Sequence, residues 1–366
     1  MRRTISSLDL TDFRNYERLS LEAESGLTLL VGPNGVGKTN VIEAICLVTR
    51  GESFRTSSWQ EVVRWGAEAA TVVMQAEDDR GGRSDVRLTV TGGRRAYRVN
   101  GTARRRVSDA TGAVPAVVFT PEDLRVVKDS ADKRRQMLDS LGSQISPSYA
   151  AARAEYERIL RQRNALLRAG DAPEQELEPW TDRIIHKGAE LRRLRVRLLD
   201  GVSGDLAEAY SRLAGQDDLG VLYQQRDREL PGPPDREGLD SAVEEMRKAL
   251  TARSREERAR GTSLVGPHRD DVSFLLGGRD ARPFASQGQQ RSIALAWKLA
   301  EVNAIERALD TTPVLLLDDV MSELDEERRR RLSALVAERT QTFVTTTNLG
   351  YFDPDFVKAA KVVVLS

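Results

Sequence analysis

The sequence is short of the residues on which several classes of protein depend. Of its 366 residues, one is a cysteine, Cys46, and two are histidines. One cysteine cannot form an intrachain disulfide, so we expect a protein of a reducing compartment with Cys46 in its core. No apolar run approaches the roughly 18 residues of a membrane-spanning helix, and the start MRRTISSLDL lacks the apolar region of a signal peptide. These absences predict a soluble, cytoplasmic protein.

The chain also has a formal net charge of zero. Lys plus Arg (56) balance Asp plus Glu (56), so the chain as a whole does not attract nucleic acid, and any DNA binding must come from local clusters. With 40% hydrophobic residues the composition is that of an ordinary globular protein. The length suits about two domains.

What the sequence does contain is a phosphate-binding loop. The segment GPNGVGKT matches G-x-x-x-x-G-K-[ST], follows the strand-like run Leu27 to Val31 and opens a helical pattern. This order points backbone N–H groups and the positive end of a helix at one place, where phosphate oxygens bind. Lys38 should reach the β- and γ-phosphates, and the Thr39 hydroxyl should bind Mg2+. The predicted nucleotide-binding residues are Gly32, Pro33, Asn34, Gly35, Val36, Gly37, Lys38 and Thr39.

A second part of the same site is expected at VLLLDD, an apolar run that ends in two carboxylates. In an open α/β sheet, ligands bind at the carboxyl ends of the strands. Asp318 is therefore expected to hold Mg2+, and Asp319 to orient or deprotonate the attacking water, so that Asp319 and Lys38 are the catalytic candidates. The alternative is a turn-forming Asp pair without a metal.

The segment SQGQQ begins a long helical pattern before the acidic strand. A serine and a glycine at a helix start present a hydroxyl and free N–H groups, which is a second candidate anion site, although an ordinary serine N-cap has the same pattern. If the two anion sites face apart, they meet only when two chains pair head to tail around nucleotide. The residues concerned are Ser286, Gly288 and Gln289.

The remaining patterns predict an α/β fold with a helical insertion. Short alternating stretches from Thr71 to Val99 indicate a small antiparallel sheet beside the nucleotide core. Apolar stripes in Tyr149 to Leu167 and Trp180 to Leu198 indicate an antiparallel helical hairpin. We therefore expect an ATPase lobe formed by residues 1–119 and 262–366, with a mixed sheet, and a helical lobe at 120–261.

The order GPNGVGKT, SQGQQ, LLLDD, SELD resembles the ABC-type P-loop ATPase heads of the SMC and Rad50 group. FRNY (13–16), FTPEDL (119–124) and GPHRDD (266–271) narrow the resemblance to the RecF family of bacterial recombination mediators. The resemblance implies ATP and Mg2+ as cofactors, an ATP-dependent homodimer and slow, switch-like hydrolysis. It also implies sequence-independent binding of duplex DNA and gap junctions. With RecR and RecO as partners, such a protein promotes RecA loading in gap repair, fork maintenance and the SOS response, associated with the nucleoid.

Residue roles follow from the same resemblance. Ser286, Gly288 and Gln289 would contact the ATP of the partner subunit, 322–325 would form the loop across the dimer seam, and Arg14 and Asn15 would lie near the nucleotide. The chain departs from the usual pattern twice. Asp319 stands where most ABC ATPases have Glu, which fits slow hydrolysis, and TTTN (345–348) replaces the usual histidine, so a γ-phosphate sensor must be a hydroxyl or an amide.

Three basic clusters are candidates for DNA binding, with a solvated helix or sheet face as the alternative for each. They are Arg94, Arg95 and Arg98 with Arg104 to Arg106; Lys133 to Arg135; and Arg192, Arg193, Arg195 and Arg197. We favour the first, since Asp109 is the only acid close by. Of the histidines, His186 is expected on a helix face, whereas His268 has a functional and a turn-stabilising interpretation. The main alternative function is the ATPase subunit of a membrane transporter; an OLD-type nuclease would need more chain after Asp325.

Overall fold

The computed structural model describes residues 2–105, 114–170, 173–215, 218–225, 239–337 and 340–366. They divide into a first unit, Met1–Leu124 with Glu301–Ser366, and a second unit, Arg125–Ala300. The α/β fold with a helical insertion is confirmed. The lobes predicted from the sequence divide after residues 119 and 261, so residues 120–124 and 262–300 fall on different sides in the two divisions.

An antiparallel sheet of six strands forms one layer of the first unit. The strands are β1 (Arg3–Phe13), β2 (Tyr16–Glu22), β4 (Ala69–Asp78), β5 (Arg83–Thr91), β6 (Arg94–Val99) and β7 (Thr102–Arg104). Their order in the sheet is β2-β1-β4-β5-β6-β7. Alternate side chains of the central strands β4 and β5, such as Val72, Met74, Val86 and Leu88, are buried, as the period of two in the sequence requires.

A parallel sheet of five strands forms the other layer. It contains β3 (Leu27–Val31), β8 (Ala116–Phe119), β12 (Val314–Asp318), β13 (Thr342–Thr346) and β14 (Lys361–Val364) in the order β14-β3-β13-β12-β8. Because all neighbours are parallel, the loops after β3, β12 and β13 emerge at the same edge. Strand β13 lies between the other two, so its end separates the phosphate loop from the acidic pair.

One side chain ties the two sheets together where β1 is irregular. The register of β1 against β4 shifts between Ile5 and Ser7, and Ile5 lies outside the pairing of β1 with β2, which begins at Ser7. The amide of Gln341, at the entry to β13, replaces that pairing. Its Oε1 accepts from the Ile5 N–H and its Nε2 donates to the Ile5 carbonyl, each at 2.7 Å.

Helix α1 (Lys38–Arg50) fills the space between the two sheets. All residues from Val41 to Thr49 are buried, Cys46 among them, which is the core position expected for it. An all-round apolar helix is what a position between two sheets requires. The helix ends at Gly51, whose left-handed φ of 74° closes the last turn on the carbonyl of Leu47.

The second unit is mainly helical. It holds α2 (Ala131–Ile145), α3 (Pro147–Ala169), α4 (Glu174–Ala214), α5 (Leu239–Arg260), the short α6 (Ala281–Phe284) and the start of α7 (Gln287–Leu309). A small antiparallel sheet joins β9 (Leu219–Gln224), β10 (Asp271–Leu276) and β11 (Arg279–Asp280). The first unit is completed by α8 (Glu326–Ala337) and α9 (Pro354–Lys358). The predicted hairpin is α3 with α4, but α4 is much longer than its apolar stripe indicated. In the described ranges, no helix is long and apolar enough to span a membrane.

The GPHRDD segment is the centre of a buried ion-pair network in the second unit. Asp270 accepts both guanidinium contacts of Arg192 at 2.8 and 2.9 Å, and Asp271 accepts both of Arg134 at 2.9 and 3.0 Å. Arg195 forms a similar two-fold pair with Asp139. Such pairs are strong and directional, so they fix the mutual positions of α2, α4 and β10.

This network corrects two interpretations made from the sequence. Arg134, Arg135, Arg192 and Arg195 are buried, so they belong neither to a DNA-binding surface nor to a solvated face. His268 is structural: its Nδ1 lies 2.6 Å from the Tyr156 hydroxyl and its Nε2 lies 3.0 Å from the Ser263 carbonyl. Burial lowers the pKa of His268 to about 4, so the imidazole is neutral at pH 7.

Candidate nucleotide-binding site

The loop between β3 and α1 has the backbone that its glycines predict. Gly35 and Gly37 have φ values of 83° and 112°, in the region that other residues avoid. Gly37 is also closely packed, because a Cβ there would lie 2.6 Å from the Tyr16 hydroxyl and 2.7 Å from the Asn15 Oδ1. The turn between β1 and β2 is therefore packed directly on the loop.

Lys38 is folded over this loop. Its ammonium group donates to the carbonyls of Gly32 and Pro33 at 2.8 and 2.9 Å, and the residue is buried. These contacts place a positive charge at the mouth of the loop, and among the described residues no carboxylate is hydrogen-bonded to it. An anionic phosphate is a stronger acceptor than a peptide carbonyl, so the side chain is available for a phosphate.

The acidic pair at the end of β12 is connected to the loop through threonine hydroxyl groups. Asp318 Oδ1 accepts from Thr39 Oγ1 at 2.9 Å and from Thr345 Oγ1 at 2.8 Å. Thr345 in turn accepts from the Asp319 N–H at 2.8 Å. Because β13 lies between β3 and β12, its last residues can link both sides. The structure thus brings Thr39 to Asp318 and Asp319, which lie far from it in the sequence.

The electrostatics of this pair fit a cation. Burial raises the pKa of Asp318 even though Thr345 and Thr39 donate to it, and the neighbouring charge of Asp319 raises it further. Burial also raises the pKa of Asp319, against the opposing effect of Lys38. A divalent cation would favour the ionised forms. No cluster of three or more metal-binding side chains occurs in the described ranges, and Mg2+ usually takes one or two carboxylates with phosphate oxygens and water.

Asp319 stands in a strained conformation. Its φ of 49° lies in the left-handed region, which is uncommon for a residue other than glycine. Its carbonyl accepts from the Ser322 hydroxyl at 2.8 Å, within the short helix Val320–Glu323. Strain of this kind is frequent at functional sites, where it fixes the direction of a side chain.

Arg14 and Asn15 lie in the turn that packs on the loop, but only one contacts it. The Asn15 amide donates to the Val36 carbonyl at 2.9 Å and accepts from Asn40 at 2.6 Å. The Arg14 guanidinium instead pairs two-fold with Glu43 on α1, at 2.8 and 2.6 Å. Arg14 is therefore engaged with a buried carboxylate in this state of the protein.

Sequence reasoning missed the group around that carboxylate. Glu43 is completely buried, and it also accepts from Ser53 at 2.5 Å and from Arg55 at 3.4 Å. Arg55 reaches Asn40 as well, at 2.6 Å. A single acid inside the apolar run of α1 was the available signal, since a buried charge needs partners elsewhere in the chain.

The serine–glycine turn, residues 286–290, belongs to the second unit. The Ser286 hydroxyl accepts from the Gln289 N–H at 3.2 Å, and the Gln289 side chain accepts from the Ser286 N–H at 2.9 Å. This reciprocal arrangement is a capping box. The N-cap interpretation is thus correct for the fold of α7. Ser286 is nevertheless exposed and Gly288 follows it in the first turn, so the turn has an open side.

The four residues that stand where a histidine is expected, TTTN (345–348), differ in burial and in hydrogen bonding. Thr345 is buried and is used by the acidic pair, whereas Thr346 exchanges hydrogen bonds with the backbone of Asn348. Thr347 and Asn348 are exposed. Thr347 and Asn348 therefore carry the exposed hydroxyl and amide of this segment.

The favoured basic cluster lies on β6 and β7 of the antiparallel sheet. Arg94, Arg95, Arg98, Arg104 and Arg105 are exposed. Of these, Arg95 also packs inward: its guanidinium lies 4.5 Å from the centre of the Trp59 ring and donates to the Gly51 carbonyl. Arg106 and Asp109 lie outside the described residues. The register adds a residue that sequence reasoning missed, since exposed Arg87 lies directly opposite Arg98.

Comparison with known proteins places these features in a family. The RecF/RecN/SMC N terminal domain model matches residues 4–362. The DNA replication and repair protein RecF of Heliobacterium modesticaldum is 40% identical over 358 residues, covering 96% of this chain and 94% of its own. RecF of Halalkalibacterium halodurans is 38% identical, with coverages of 98% and 96%.

Solved structures agree with this result. The recombination mediator protein RecF–ATPrS of the RecFOR pathway matches with a TM-score of 0.88 and 29% identity, covering 96% of this chain and 94% of that one. The Smc head domain from Pyrococcus furiosus matches with a TM-score of 0.54 and 19% identity, covering 100% and 94%. The Smc likeness concerns the fold, which is that of an ABC-type ATPase head.

Proposed function

Since the chain belongs to the RecF family of DNA replication and repair proteins, we propose that it is an ATP-dependent DNA-binding protein that dimerises around ATP. The observation that carries this proposal is the hydrogen-bonded link Thr39–Asp318–Thr345–Asp319. It joins the phosphate loop to the Asp318 carboxylate and to the backbone of Asp319 at one sheet edge. Such an edge suits a triphosphate with its metal.

Within this proposal the residues of the site have separate tasks. Lys38 exchanges the carbonyls of Gly32 and Pro33 for the β- and γ-phosphates, and the remaining loop residues from Asn34 to Gly37 present their N–H groups. Thr39 and Asp318 hold Mg2+, which would neutralise charge on the phosphate oxygens. Asp319 orients or deprotonates the attacking water. Aspartate is shorter than the glutamate usual at this position, so hydrolysis is slow and serves as a switch.

Dimerisation would complete the site. Ser286, Gly288 and Gln289 offer an exposed hydroxyl and a helix start, which suit the γ-phosphate of a nucleotide held by a second chain. The segment 322–325 follows the strained Asp319 and has exposed residues, so it is suited to contact the partner across the seam. ATP would then act as part of the interface, and hydrolysis would open it.

DNA would bind through charge and shape. Arg87 and Arg98 are like charges directly opposite one another on adjacent strands, an arrangement that costs stability unless an anion lies over it. Contacts of this kind reach phosphates and carry no sequence information, so affinity should fall steeply with salt. Duplex DNA beside single-stranded gaps is the proposed substrate.

The cellular role follows from the family. We propose that the protein acts with RecR and RecO to promote RecA loading in gap repair, at replication forks and in SOS induction. The RecFOR pathway appears in the description of the similar RecF structures, which supports RecR and RecO as partners. The transporter alternative has no support, because the relatives that match nearly the whole chain are DNA replication and repair proteins.

The proposal is tested by fluorescence anisotropy with a labelled gapped duplex. We expect tight binding with ATP and Mg2+, weak binding without nucleotide, and no ATP effect in Lys38→Ala. The double variant Arg87→Glu, Arg98→Glu should lose DNA binding but keep ATP binding. The matched control is Arg197→Glu, which reverses an exposed charge on α4 and should leave both unchanged. DNA binding that ignores nucleotide in the unaltered protein would refute the proposal.

A further inference from the structure

One large aromatic side chain near the phosphate loop has no task in the function above. Trp65 is 96% exposed, more than any other large hydrophobic residue described. A tryptophan left almost fully in water loses the burial energy that its size offers, roughly 25 cal/mol per Å2 of apolar surface. A ligand that covers the indole would recover that energy.

Trp65 is held on a fixed turn rather than on a loose loop. The Ala67 N–H donates to the Arg64 carbonyl at 3.0 Å, and Gly66 has the positive φ of 84° that such a turn uses. The Arg64 N–H donates to the Asp12 carbonyl at 2.8 Å, and the Arg64 guanidinium pairs with the Asp12 carboxylate at 2.7 Å. The indole is therefore presented in a defined place before a ligand arrives.

The turn that carries Trp65 is connected to the phosphate loop through one layer of hydrogen bonds. The Arg14 N–H donates to the Val62 carbonyl at 2.8 Å, three residues before Trp65. The next residue, Asn15, donates to the Val36 carbonyl of the loop. The β1–β2 turn thus lies between the loop on one side and the segment of Trp65 on the other.

The direction of a bound nucleotide decides which of its parts can reach that segment. The γ-phosphate end belongs beside Asp318 and Asp319, of which Asp318 contacts Thr39 at the end of the loop. Asn40 follows Thr39 in the helix, so its side chain points about 100° away, and it contacts Asn15 and Arg55 instead. The ribose and base must leave the loop away from the acidic pair, and the flank marked by Asn40 leads through the β1–β2 turn to the segment of Trp65.

The charges around Trp65 favour a nucleobase over DNA. Glu61 and Glu68 are both exposed on the same segment, whereas Arg64 is paired with Asp12 and Arg14 with Glu43. Exposed carboxylates repel a phosphate backbone, but they leave an uncharged base free to stack on the indole. Base–aromatic stacking is a substantial source of affinity that tolerates any base.

We propose that Trp65 stacks on the base of the triphosphate that the phosphate loop holds. The inference rests on the nucleotide site of the proposed function and adds the group that recognises the base. The loop and Lys38 contact phosphates alone, so without Trp65 the protein would bind a triphosphate with little regard for what it carries. Purine nucleotides, with the larger ring system, should bind more tightly than pyrimidine nucleotides.

The test is isothermal titration of the full chain with ATP and with inorganic tripolyphosphate, at constant Mg2+ and without DNA. We expect Trp65→Ala to weaken ATP binding by about 10- to 100-fold and to leave tripolyphosphate binding unchanged. Trp65→Phe should recover most of the loss. Trp180→Ala, which removes a partly exposed tryptophan from the second unit, is the matched control.

Tryptophan fluorescence supplies a second readout. ATP should quench the emission of the unaltered protein, tripolyphosphate should not, and Trp65→Phe should abolish the quench. Equal ATP affinity in Trp65→Ala and the unaltered protein would overturn the inference and leave the nucleotide site intact. A loss of DNA binding with ATP affinity kept would overturn it in favour of a DNA contact. Unaltered protein that binds neither ATP nor tripolyphosphate would instead overturn the nucleotide site itself.

Discussion

Replacing Arg14 by methionine separates a structural role of this residue from a nucleotide contact. The change keeps most of the aliphatic volume but removes the charge that neutralises Glu43. Glu43 is fully buried and would keep only Ser53 and the half-exposed Arg55 as partners. Removing one member of a buried pair typically costs about 3–5 kcal/mol, because the other charge stays buried without compensation.

The expected loss for Arg14→Met is at the lower end, about 3 kcal/mol, since Arg55 and Ser53 still contact the carboxylate. It should appear as a lower midpoint in urea unfolding, followed by circular dichroism without nucleotide. Glu43→Gln removes the charge and should relieve much of the penalty. The double variant Arg14→Met, Glu43→Gln should therefore be more stable than Arg14→Met alone.

ATP affinity of the same variants gives the decisive comparison. If Arg14 acts only through Glu43, the double variant recovers ATP binding together with stability. If Arg14 leaves Glu43 and contacts the nucleotide, the double variant recovers stability but not ATP binding. An Arg14→Met variant as stable as the unaltered protein would refute the reasoning, since the buried charge would then not need its partner.

Four further changes have defined outcomes. Ser286→Arg should leave ATP binding by the single chain unchanged but prevent the ATP-dependent dimer, as measured by sedimentation velocity. Asp319→Asn should slow phosphate release and prolong the lifetime of the complex with DNA after a chase with unlabelled DNA. Asp318→Asn should raise the melting temperature at pH 7.5 without Mg2+, because a carboxylate whose pKa is raised by folding destabilises the folded state when it is ionised. The same variant should abolish the rise in melting temperature that Mg2+ and ATP cause in the unaltered protein. His268 has a pKa of about 4 in the folded state and about 6.5 in the unfolded chain, so at intermediate pH the unfolded chain binds the proton and the folded protein does not. The free energy of unfolding should therefore fall by at most about 3 kcal/mol as the pH decreases from 6.5 towards 4. His268→Gln should reduce this pH dependence, as measured by urea unfolding.

The fold and the phosphate loop could be predicted because their signals are local. A loop of glycines between an apolar run and a helix specifies its own geometry, and Val314 to Leu317 could only be a buried strand before Asp318. The direction of parallel strands then brings the strand ends to one edge. The hydrogen bonds of Thr345 to the Asp318 carboxylate and to the Asp319 N–H could not be predicted in this way, because they depend on the order of strands in the sheet.

The charged residues of the helical unit were harder to interpret. In a helix with Arg at several positions, those on the inner face cannot be recognised until the partner acids are known. Arg192 and Arg195 are buried because Asp270 and Asp139, far away in the sequence, meet them. The exposure of Trp65 also depends on a residue far away in the sequence, because hydrogen bonds with Asp12 hold the turn that presents it.

The central claim is that ATP joins two chains into the form that holds DNA. Light-scattering mass after size-exclusion chromatography, with and without ATP and Mg2+ and with a short duplex added, tests it most directly. The account predicts a mass near that of one chain, 40.7 kDa, without nucleotide, and a doubling with ATP and Mg2+ that alone retains the duplex. A protein that keeps the mass of one chain with ATP, or that binds duplex equally as a single chain, would contradict it.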